Sequence, residues 1–448
     1  MRLADALGIQ RGDVVSFVGA GGKTTALLRL GYELVQDGWR VLATTTTRIG
    51  EDQLALFPHS TRWQSNLLRQ RELAALLDDY RFVFVYQEIR AQKAVGIPSE
   101  QVSRLIDEMN ADILLIEADG ARRMPLKAPR PHEPVIPDDT TLVVPVAGLD
   151  ALGKPLEEVT YNPQPIYDRY GFLPEALVQP AWIAQIVRDE TLGLKNIPTG
   201  ARIVALLNKA DVSGVVYGRG RRVAQLMLRH SSIHSVAIGA VRRTNDPIFE
   251  VQQRIAAIVL AGGLSRRMGT SKPLLPWGDK TVIEHIVQLL APFGFAEIVV
   301  VTGYKALEVE KVLKDYEVRT VFNPIYLKGE MLSSLKAGLR ALPENISSAL
   351  IVMGDQPQMV PRILHRILRA SAHHPDTIVA PYFRDQRGHP ILIPRRFWPS
   401  LLALTSGAPR DVINQHPITQ VLVDTDVVLR DIDTPDQYAH EKRLAGLE

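Results

Sequence analysis

The chain has 448 residues, too many for a single hydrophobic core, so two or three domains are expected. Its net charge of +3, from 52 basic and 49 acidic residues, gives no argument for nucleic-acid binding, and no nucleic-acid partner is expected. The absence of cysteine excludes disulfides, thiolate metal sites and cysteine nucleophiles. Because no segment resembles a signal peptide or approaches the roughly 20 apolar residues of a membrane span, we expect a soluble, cytoplasmic protein with no membrane partner.

The first predicted strand, Val14–Val18, runs into a glycine-rich turn, GAGGKTT at 19–25. Apolar residues then recur at helical spacing as far as Gly38, which predicts a helix. At such a junction, backbone N–H groups and the helix dipole bind phosphate, a lysine neutralises it, and a hydroxyl reaches magnesium. The pattern departs from the full P-loop motif because Phe17 stands at the first glycine position. The predicted nucleotide-binding residues are Gly19, Gly21, Gly22, Lys23, Thr24 and Thr25.

Two later strings in the first half indicate the same nucleotide site. A predicted apolar strand ends in Glu117 and Asp119, whose i,i+2 spacing puts both carboxylates on one face, suited to magnesium or water. Ordinary strand-end capping is the alternative for either residue. Another predicted strand leads into NKAD at 208–211, which matches the guanine-reading NKxD motif. Asn208 and Asp211 therefore favour GTP over ATP, which remains the alternative.

A basic cluster follows the two acidic residues. Arginine and lysine in this density suit a second anion, such as the phosphate of a cofactor, and a solvated basic loop is the alternative. The cluster consists of Arg122, Arg123, Lys127, Arg130 and His132. No partner at ligand spacing accompanies His132, so we expect a hydrogen-bonded loop residue rather than a metal ligand.

Residues 10–240 resemble the selenium-dependent hydroxylase accessory protein family. The strings that carry the resemblance are FVGAGGKTT at 17–25, LATTTTRIG at 42–50, EADGARRMPLKAPRPHEPVIP at 117–137, VAGLDALGKPLEE at 146–158 and LLNKAD at 206–211. That family accompanies molybdenum hydroxylases, so the resemblance implies a molybdenum hydroxylase apoprotein as a partner. We predict that this half binds GTP or ATP and hydrolyses it slowly.

A polar stretch at 242–247 separates the two halves of the chain. In both halves, fully apolar short strands alternate with amphipathic helices, which is typical of a mostly parallel sheet covered on both faces. The fold class is therefore α/β, with two tandem domains. The predicted bounds are 1–245 for a P-loop-like nucleotide-binding accessory domain and 255–448 for the second domain.

The second half opens on a predicted strand, Ile255–Leu260, followed by the turn AGGLSRRMG at 261–269. Glycines directly after a buried strand let backbone N–H groups approach an anion. A glycine-rich turn alone often only reverses the chain. Here Arg267 and Lys272 add forked and compact positive charge, and together they predict a phosphate site.

Carboxylates follow later strands of this half. Asp355 comes after the predicted strand Ala349–Met353, and the carboxyl edge of a parallel sheet is where ligands bind. It is therefore placed to hold magnesium against a triphosphate, with a helix N-cap as the alternative. Asp431 and Asp433 could complete the coordination, because magnesium usually takes one or two carboxylates plus phosphate oxygens and water.

Residues 255–440 resemble the molybdenum cofactor cytidylyltransferases, within the glycosyltransferase-A-like nucleotidyltransferases. The strings that carry the resemblance are LAGGLSRRMGTSKPLLPW at 260–277, VVVTGY at 299–304, NPIYLKGEMLSSL at 323–335, GDQP at 354–357, RGHPIL at 387–392 and DIDTPDQY at 431–438. The resemblance implies a Rossmann-like domain that transfers CMP from CTP to a molybdopterin-type cofactor, with Mg²⁺ and release of pyrophosphate.

The same resemblance implies roles for individual residues. Arg267, Lys272 and Asp355 would be catalytic, and Asp355 with Asp433 would hold the metal. The implied nucleotide-binding residues are Leu260, Ala261, Gly262, Gly263, Ser265, Gly269, Thr302, Gly303 and Gly354. The implied acceptor-binding residues are Ser333, Ser334, Arg387, Gly388, His389 and Pro390.

Two departures from the family pattern leave more than one reaction open. The first turn reads LAGG at 260–263, whereas the cytidylyl branch looks more like LAAG, so guanylyl transfer from GTP is an alternative. The segment TSGAPR at 405–410 lacks the acidic residue expected there. The strings LLPW, GDQP, RGHP and DIDTP favour cytidine. Transfer onto a sugar phosphate also stays open, as does a non-catalytic role as a molybdenum cofactor carrier or insertion chaperone.

Overall fold

The structure is a computed structural model that describes residues 1–63, 67–102, 105, 111–327, 330–405 and 407–447. Lys328 and Gly329 of the 323–335 string and Ser406 of the 405–410 segment lie outside the described residues. The chain divides into two compact units, Met1–Gln252 and Gln253–Glu448. Within the described ranges, no helix has both the length and the apolar character needed to cross a bilayer.

The N-terminal unit contains fourteen strands in its described residues. They are β1 Val14–Gly19, β2 Val41–Thr45, β3 Arg48–Gly50, β4 His59–Arg62, β5 Phe82–Tyr86, β6 Glu88–Arg90, β7 Lys93–Val95, β8 Ile113–Glu117, β9 Leu126–Lys127, β10 Leu142–Gly148, β11 Thr160–Tyr161, β12 Arg202–Asn208, β13 Ser235–Gly239 and β14 Ile248–Gln253. Nine of them form one sheet in the order β14-β13-β12-β10-β1-β8-β2-β5-β4. From β13 to β4 all neighbours are parallel, which confirms the prediction for this half.

Helices cover both faces of this sheet. They are α1 Leu3–Leu7, α2 Lys23–Gln36, α3 Glu51–Leu54, α4 Leu67–Tyr80, α5 Leu156–Val159, α6 Gln164–Tyr170, α7 Pro180–Arg188 and α8 Gly214–Met227. Because side chains alternate along a strand, Val15 and Phe17 of β1 pack into one core and Val14 and Val18 into another. The continuous apolar run of β1 thus reflects burial on both sides.

The C-terminal unit contains ten strands and seven α-helices in its described residues. The strands are β15 Ile255–Leu260, β16 Pro276–Trp277, β17 Lys280–Thr281, β18 Glu297–Thr302, β19 Arg319–Phe322, β20 Ser348–Met353, β21 Ile378–Phe383, β22 Gln386–Arg387, β23 Ile391–Pro394 and β24 Ile418–Val423. The helices are α9 Val282–Leu290, α10 Ala306–Leu313, α11 Glu330–Ala341, α12 Pro361–His373, α13 Trp398–Ala403, α14 Pro409–Ile413 and α15 Pro435–Leu444.

The sheet of the C-terminal unit is mixed, which corrects the prediction of a mostly parallel sheet. Its order is β19-β18-β15-β20-β23-β21-β22, with β24 beside β21. The strands from β19 to β20 are parallel, whereas β23 runs antiparallel to both β20 and β21. A parallel return needs a crossover of roughly a dozen residues or more. The chain between Phe383 and Ile391 is shorter than that, so β23 reverses direction.

Register brings the predicted motifs to the carboxyl edges of the two sheets. In the C-terminal unit, Leu260 of β15 pairs with Met353 of β20, so the glycine-rich turn and Asp355 leave the sheet side by side. In the N-terminal unit, β1 pairs with β8 and β10, and β10 pairs with β12 as far as Asn208. Its glycine-rich turn, acidic residues and NKAD string therefore share one edge.

Candidate functional site

A cavity of about 410 Å³ opens where β15 and β20 end. Its walls combine the glycine-rich turn with side chains from the start of α11 and the end of β20. The lining residues are Leu260, Ala261, Gly262, Gly263, Leu264, Ser265, Arg266, Lys272, Pro273, Tyr326, Leu327, Met331, Ser334, Met353, Gly354 and Asp355. The cavity lies within the usual volume range of small-molecule sites, about 300–1,000 Å³.

The backbone segments around this cavity approach one another so closely that two positions exclude a side chain. A Cβ on Gly303 would lie 2.5 Å from the carbonyl oxygen of Gly262. A Cβ on Gly354 would lie 2.6 Å from the carbonyl oxygen of Leu260. Neither Thr302 nor Gly303 lines the cavity. Both residues instead lie against the backbone of Gly262 in the turn.

The Lys272 ammonium joins the two carboxylates predicted to bind metal. Lys272 Nζ donates to Asp355 Oδ2 at 2.9 Å and also to Asp433, and the Arg267 guanidinium contacts Asp433 as well. Burial acts to lower the pKa of Lys272, but the two carboxylates outweigh it and hold that pKa above its ordinary value. The side chain therefore stays charged, and the three predicted catalytic residues converge with Asp433 at one point.

One carboxylate oxygen at this point is available to a cation. Asp355 Oδ1 is buried and accepts no hydrogen bond among the described residues. Burial, together with the charges of Asp433 and Asp355, raises the pKa of Asp431. The described part of the chain contains no cluster of three or more histidine, cysteine, aspartate or glutamate residues arranged for metal binding. A divalent ion here would thus depend on Asp355 and Asp433 plus ligand oxygens, a donor set that suits magnesium.

The structure places the predicted acceptor-binding residues in several positions. Ser334 lines the cavity, while Asn323, which the sequence reasoning did not assign, donates from Nδ2 to Ser333 Oγ at 2.8 Å and Ser334 Oγ at 3.1 Å. Arg387 donates to Asn414 Oδ1 at 2.6 Å. Among the predicted site residues, those outside the cavity lining are Arg267, Gly269, Thr302, Gly303, Ser333, Arg387, Gly388, His389, Pro390 and Asp433.

Apolar lining residues were also absent from the sequence reasoning. Tyr326, Leu327, Met331 and Met353 line the cavity. Such side chains read as ordinary core residues along a sequence, and no residue-type pattern distinguishes the two. Only the chain path around the glycine-rich turn shows that they face a ligand-sized space.

The buried His389 is expected to make the free energy of unfolding of the C-terminal unit depend on pH. Burial, helped by the positive charge of Arg387 and opposed by Asp355, lowers its pKa to about 4. The unfolded chain, with an ordinary histidine pKa near 6.5, therefore binds more protons between these two values. As pH falls through this window, we expect the C-terminal unit to lose about 2–3 kcal/mol of unfolding free energy. Urea titrations between pH 7.5 and 4 would measure the slope.

A matched pair of variants assigns this slope. His389→Gln should remove it, whereas His440→Gln, on the exposed C-terminal helix, should leave it unchanged. An unaltered slope in His389→Gln would contradict the assignment.

The N-terminal unit contains a larger cavity, of about 1280 Å³, at the carboxyl edge of its sheet. It brings together most of the predicted nucleotide residues of this half. Those that line it are Gly21, Gly22, Lys23, Thr24, Thr25, Glu117, Asn208 and Asp211. Gly19 and Asp119 do not line it.

Lys23 is buried, with 4% of its surface exposed. Its Nζ donates to the carbonyl oxygen of Gly19 at 2.7 Å and lies 3.0 Å from Asp119 Oδ1. Glu117 Oε1 lies 3.8 Å away, and Glu117 also accepts from Thr24 Oγ1 at 2.7 Å. Burial raises the pKa of Glu117, although the ammonium of Lys23 opposes this. Lys23 and Thr24 thus lie on the same carboxylate at the cavity wall.

Asp119 and Lys127 form a buried network instead of facing the cavity. Asp119 Oδ2 accepts from the backbone N–H of Gly19 at 3.0 Å and lies 3.0 Å from Lys127 Nζ. Lys127 also lies 2.8 Å from Glu133 Oε2. The paired ammonium of Lys127 is therefore not a free anion ligand, which corrects its inclusion in the predicted basic cluster. Asp119 instead fixes the glycine-rich turn.

Asn208 ties the NKAD string to the glycine-rich turn. Its Nδ2 donates to the carbonyl oxygen of Gly21 at 2.8 Å, and its Oδ1 accepts from the backbone N–H of Val241 at 3.0 Å. Asp211 is exposed at the cavity wall. The buried amide of Asn208 is thus occupied by hydrogen bonds within the protein. The carboxylate of Asp211, in contrast, is accessible to a ligand in the cavity.

We predict that Asn208→Ala strongly destabilises the N-terminal unit. The change removes two hydrogen bonds and leaves a buried carbonyl and a buried N–H unsatisfied, a cost of about 2–4 kcal/mol. Chemical denaturation followed by circular dichroism would measure it. Asn245→Ala, at an exposed position of the same unit, is the matched control and should change little. Equal stability of the two variants would contradict the structural role of Asn208.

Comparison with known proteins finds different families for the two halves of the chain. The YqeC protein family matches residues 15–164, and the MobA-like NTP transferase domain matches residues 257–421. The uncharacterized protein YqeC of Escherichia coli (strain K12) is 36% identical over 208 residues, covering 45% of this chain and 78% of that protein.

The relatives that match the second half include two enzymes. The molybdenum cofactor cytidylyltransferase of Escherichia coli (strain K12) is 28% identical over 195 residues, covering 42% of this chain and 95% of that protein. Nicotine blue oxidoreductase of Paenarthrobacter nicotinovorans is 28% identical over 195 residues, covering 41% of this chain and 94% of that protein. Both predicted resemblances are confirmed. The chain belongs to the YqeC family through its N-terminal half, carries a MobA-like NTP transferase domain in its C-terminal half, and is therefore a nucleotidyltransferase.

Proposed function

We propose that the C-terminal unit transfers CMP from CTP to a terminal phosphate of a molybdopterin-type cofactor and releases pyrophosphate. The observation that carries this proposal is the convergence of Lys272, Asp355 and Asp433 beside a cavity that the glycine-rich turn lines. The similarity to a molybdenum cofactor cytidylyltransferase supports the choice of acceptor. The loaded cofactor would then serve a molybdenum hydroxylase apoprotein.

The chemistry asks the protein chiefly to position two anions. An acceptor phosphate oxygen forms a bond to the α-phosphorus of CTP, the bond to the β-phosphate bridging oxygen breaks, and pyrophosphate leaves. The N–H groups of the turn would orient the phosphates, and Lys272 with Arg267 would neutralise charge that grows in the transition state. Asp355 and Asp433 would hold Mg²⁺, which would supply further neutralisation of the phosphate oxygens. The free buried Oδ1 of Asp355 fits that role.

The nucleotide base is the open point between cytidylyl and guanylyl transfer. Gly262 stands where the cytidylyl branch looks more like alanine, and a Cβ there would lie 3.1 Å from Ser334 Oγ and 3.3 Å from the carbonyl oxygen of Thr302. A small shift of the Ser334 hydroxyl would accommodate that atom. The space at position 262 therefore gives no reason to prefer GTP over CTP.

A pyrophosphate-release assay with each nucleoside triphosphate tests the proposal. Purified full-length protein is incubated with Mg²⁺, molybdopterin-type cofactor and CTP, GTP, ATP or UTP in turn. Among the four nucleotides, we expect only CTP to give pyrophosphate release that depends on the cofactor. Release that depends on GTP, or on a sugar phosphate as acceptor, would replace the assignment. Tight cofactor binding without release from any nucleotide would favour a carrier or insertion chaperone.

For the N-terminal unit we propose binding and slow hydrolysis of GTP, with ATP as the alternative, at the glycine-rich turn. Lys23, Thr24 and Glu117 at the cavity wall support a triphosphate site, and the exposed Asp211 carboxylate supports recognition of guanine. Titration of the protein with fluorescent GTP and ATP analogues, competed by unlabelled nucleotide, tests the base. Preference for ATP, or equal GTP affinity in Asp211→Asn, would remove the guanine assignment.

A further inference from the structure

One wall of the N-terminal cavity carries positively charged residues that do not belong to the glycine-rich turn. The residues of this arginine wall are Arg122, Arg130, His132 and Tyr161, and all four line the cavity. The guanidinium groups of Arg122 and Arg130 lie 5.5 and 5.4 Å from the centre of the Tyr161 ring. The ammonium of Lys127 lies 5.7 Å from the same ring, but it is paired with Asp119 and Glu133, so the two guanidinium groups are the positive charges beside the ring that face the cavity. Among the described residues, neither guanidinium forms an ion pair with a carboxylate.

Polar contacts to its backbone hold Arg130 of the arginine wall in place. Glu133, which pairs with the buried Lys127, accepts from the backbone N–H of Arg130 at 3.1 Å. On the other side, Lys195 Nζ donates to the carbonyl oxygen of Arg130 at 3.1 Å. Tyr161 pairs with Lys127 in a short parallel ladder. The backbone that presents Arg130 is therefore fixed from two directions.

Charge and volume together indicate a ligand for this wall. Two unpaired guanidinium groups on one ring repel each other, and a bound anion would relieve that repulsion. The cavity of about 1280 Å³ also exceeds the range of roughly 300–1,000 Å³ usual for one small-molecule ligand. The glycine-rich turn lines the same cavity through Gly21–Thr25, none of which belongs to the arginine wall, and the volume would admit a nucleotide and a second molecule.

We propose that the arginine wall binds the phosphate group of a second small molecule, a phosphomonoester, in the same cavity as the nucleotide. Arginine is suited to this role because its planar fork contacts two phosphate oxygens at once. Tyr161 would hold both forks in position, and His132 would line the edge of the subsite. The proposal rests on the proposed nucleotide site only in placing two ligands in one cavity, because phosphate binding to the wall requires no nucleotide.

Equilibrium dialysis of the full chain with labelled inorganic phosphate tests this subsite. The two nucleotide sites are first saturated with CTP and a non-hydrolysable GTP analogue. We expect one phosphate bound per chain in the wild type and affinity weaker by about tenfold or more in Arg122→Gln/Arg130→Gln, which removes two charge-assisted contacts. The matched control Arg222→Gln/Arg229→Gln removes the same charge from exposed positions outside the cavity lining and should bind as the wild type does.

The outcomes separate this proposal from that of the nucleotide site. No phosphate bound at saturation, or equal phosphate affinity in the wall variant and the control, would overturn the arginine wall. Phosphate that binds only in parallel samples without the GTP analogue would also overturn it, since the two ligands would then share one subsite. Nucleotide titrations on the same samples report the proposed GTP site independently. Failure of GTP to bind while the wall variant still weakens phosphate binding would remove that site and leave the wall.

Discussion

Replacing Asp355 with asparagine is expected to lower the turnover number of pyrophosphate release by about 10²–10³-fold, the range for losing one preorganised charge-stabilising group. The asparagine oxygen can still accept from Lys272, whose ammonium also contacts Asp433. We therefore expect the C-terminal unit to stay folded, with less than about 2 kcal/mol lost. Steady-state kinetics with CTP and cofactor, beside a thermal melt, measure both effects.

The matched control for this variant is Asp385→Asn, which removes the same charge from an exposed loop position of the same unit. It should change neither turnover nor melting temperature. If Asp355→Asn keeps wild-type turnover, the assignment of Asp355 to metal and phosphate neutralisation is wrong. If its melt collapses, the loss of activity reports folding instead of chemistry.

Replacing Lys23 with methionine is expected to have the largest effect on stability in the N-terminal unit. The change removes the ammonium beside Glu117 and leaves Asp119 paired with Lys127 alone, and breaking a buried ion pair by removing one partner costs about 3–5 kcal/mol. Loss of the ammonium also raises the pKa of Glu117 further, because its positive charge opposes the effect of burial in the wild type. Urea unfolding and GTP titration of the folded variant would measure stability and affinity separately.

Two further variants show which effect Lys23 exerts. Adding Glu117→Gln to Lys23→Met should recover part of the lost stability, since the neutral side chain needs no cation, but should not restore GTP affinity. Lys154→Met, at an exposed position, serves as the control and should resemble the wild type. Unchanged GTP affinity in Lys23→Met would contradict the phosphate role while leaving the structural role intact.

Local sequence pattern predicts which residues meet where the register of neighbouring strands alone sets their positions. Lys272 and Asp355 are 83 residues apart along the chain, yet both follow strands that end at one edge of the sheet. Continuous apolar strands between helices predict that edge. The pairing of β15 with β20 then leads Asp355 to the glycine-rich turn.

Local sequence pattern does not predict side-chain positions where the chain leaves regular structure. The i,i+2 rule places Glu117 and Asp119 on one face only while the strand continues, and β8 ends at Glu117. Both carboxylates still approach Lys23, but Asp119 also pairs with Lys127 and does not line the cavity. The pairing of Lys127 with Glu133, and the approach of Tyr161 to Arg130, depend on loop paths that no periodicity encodes.

The most direct test of the central claim follows the labelled α-phosphate of a nucleotide into the cofactor. Full-length protein is incubated with Mg²⁺, molybdopterin-type cofactor and α-labelled CTP or GTP, and the products are separated and identified by mass spectrometry. The predicted result is label in a cofactor–CMP product with one pyrophosphate released per transfer, and none from GTP. Label that enters a cofactor–GMP product, or no labelled cofactor from either nucleotide, would contradict it.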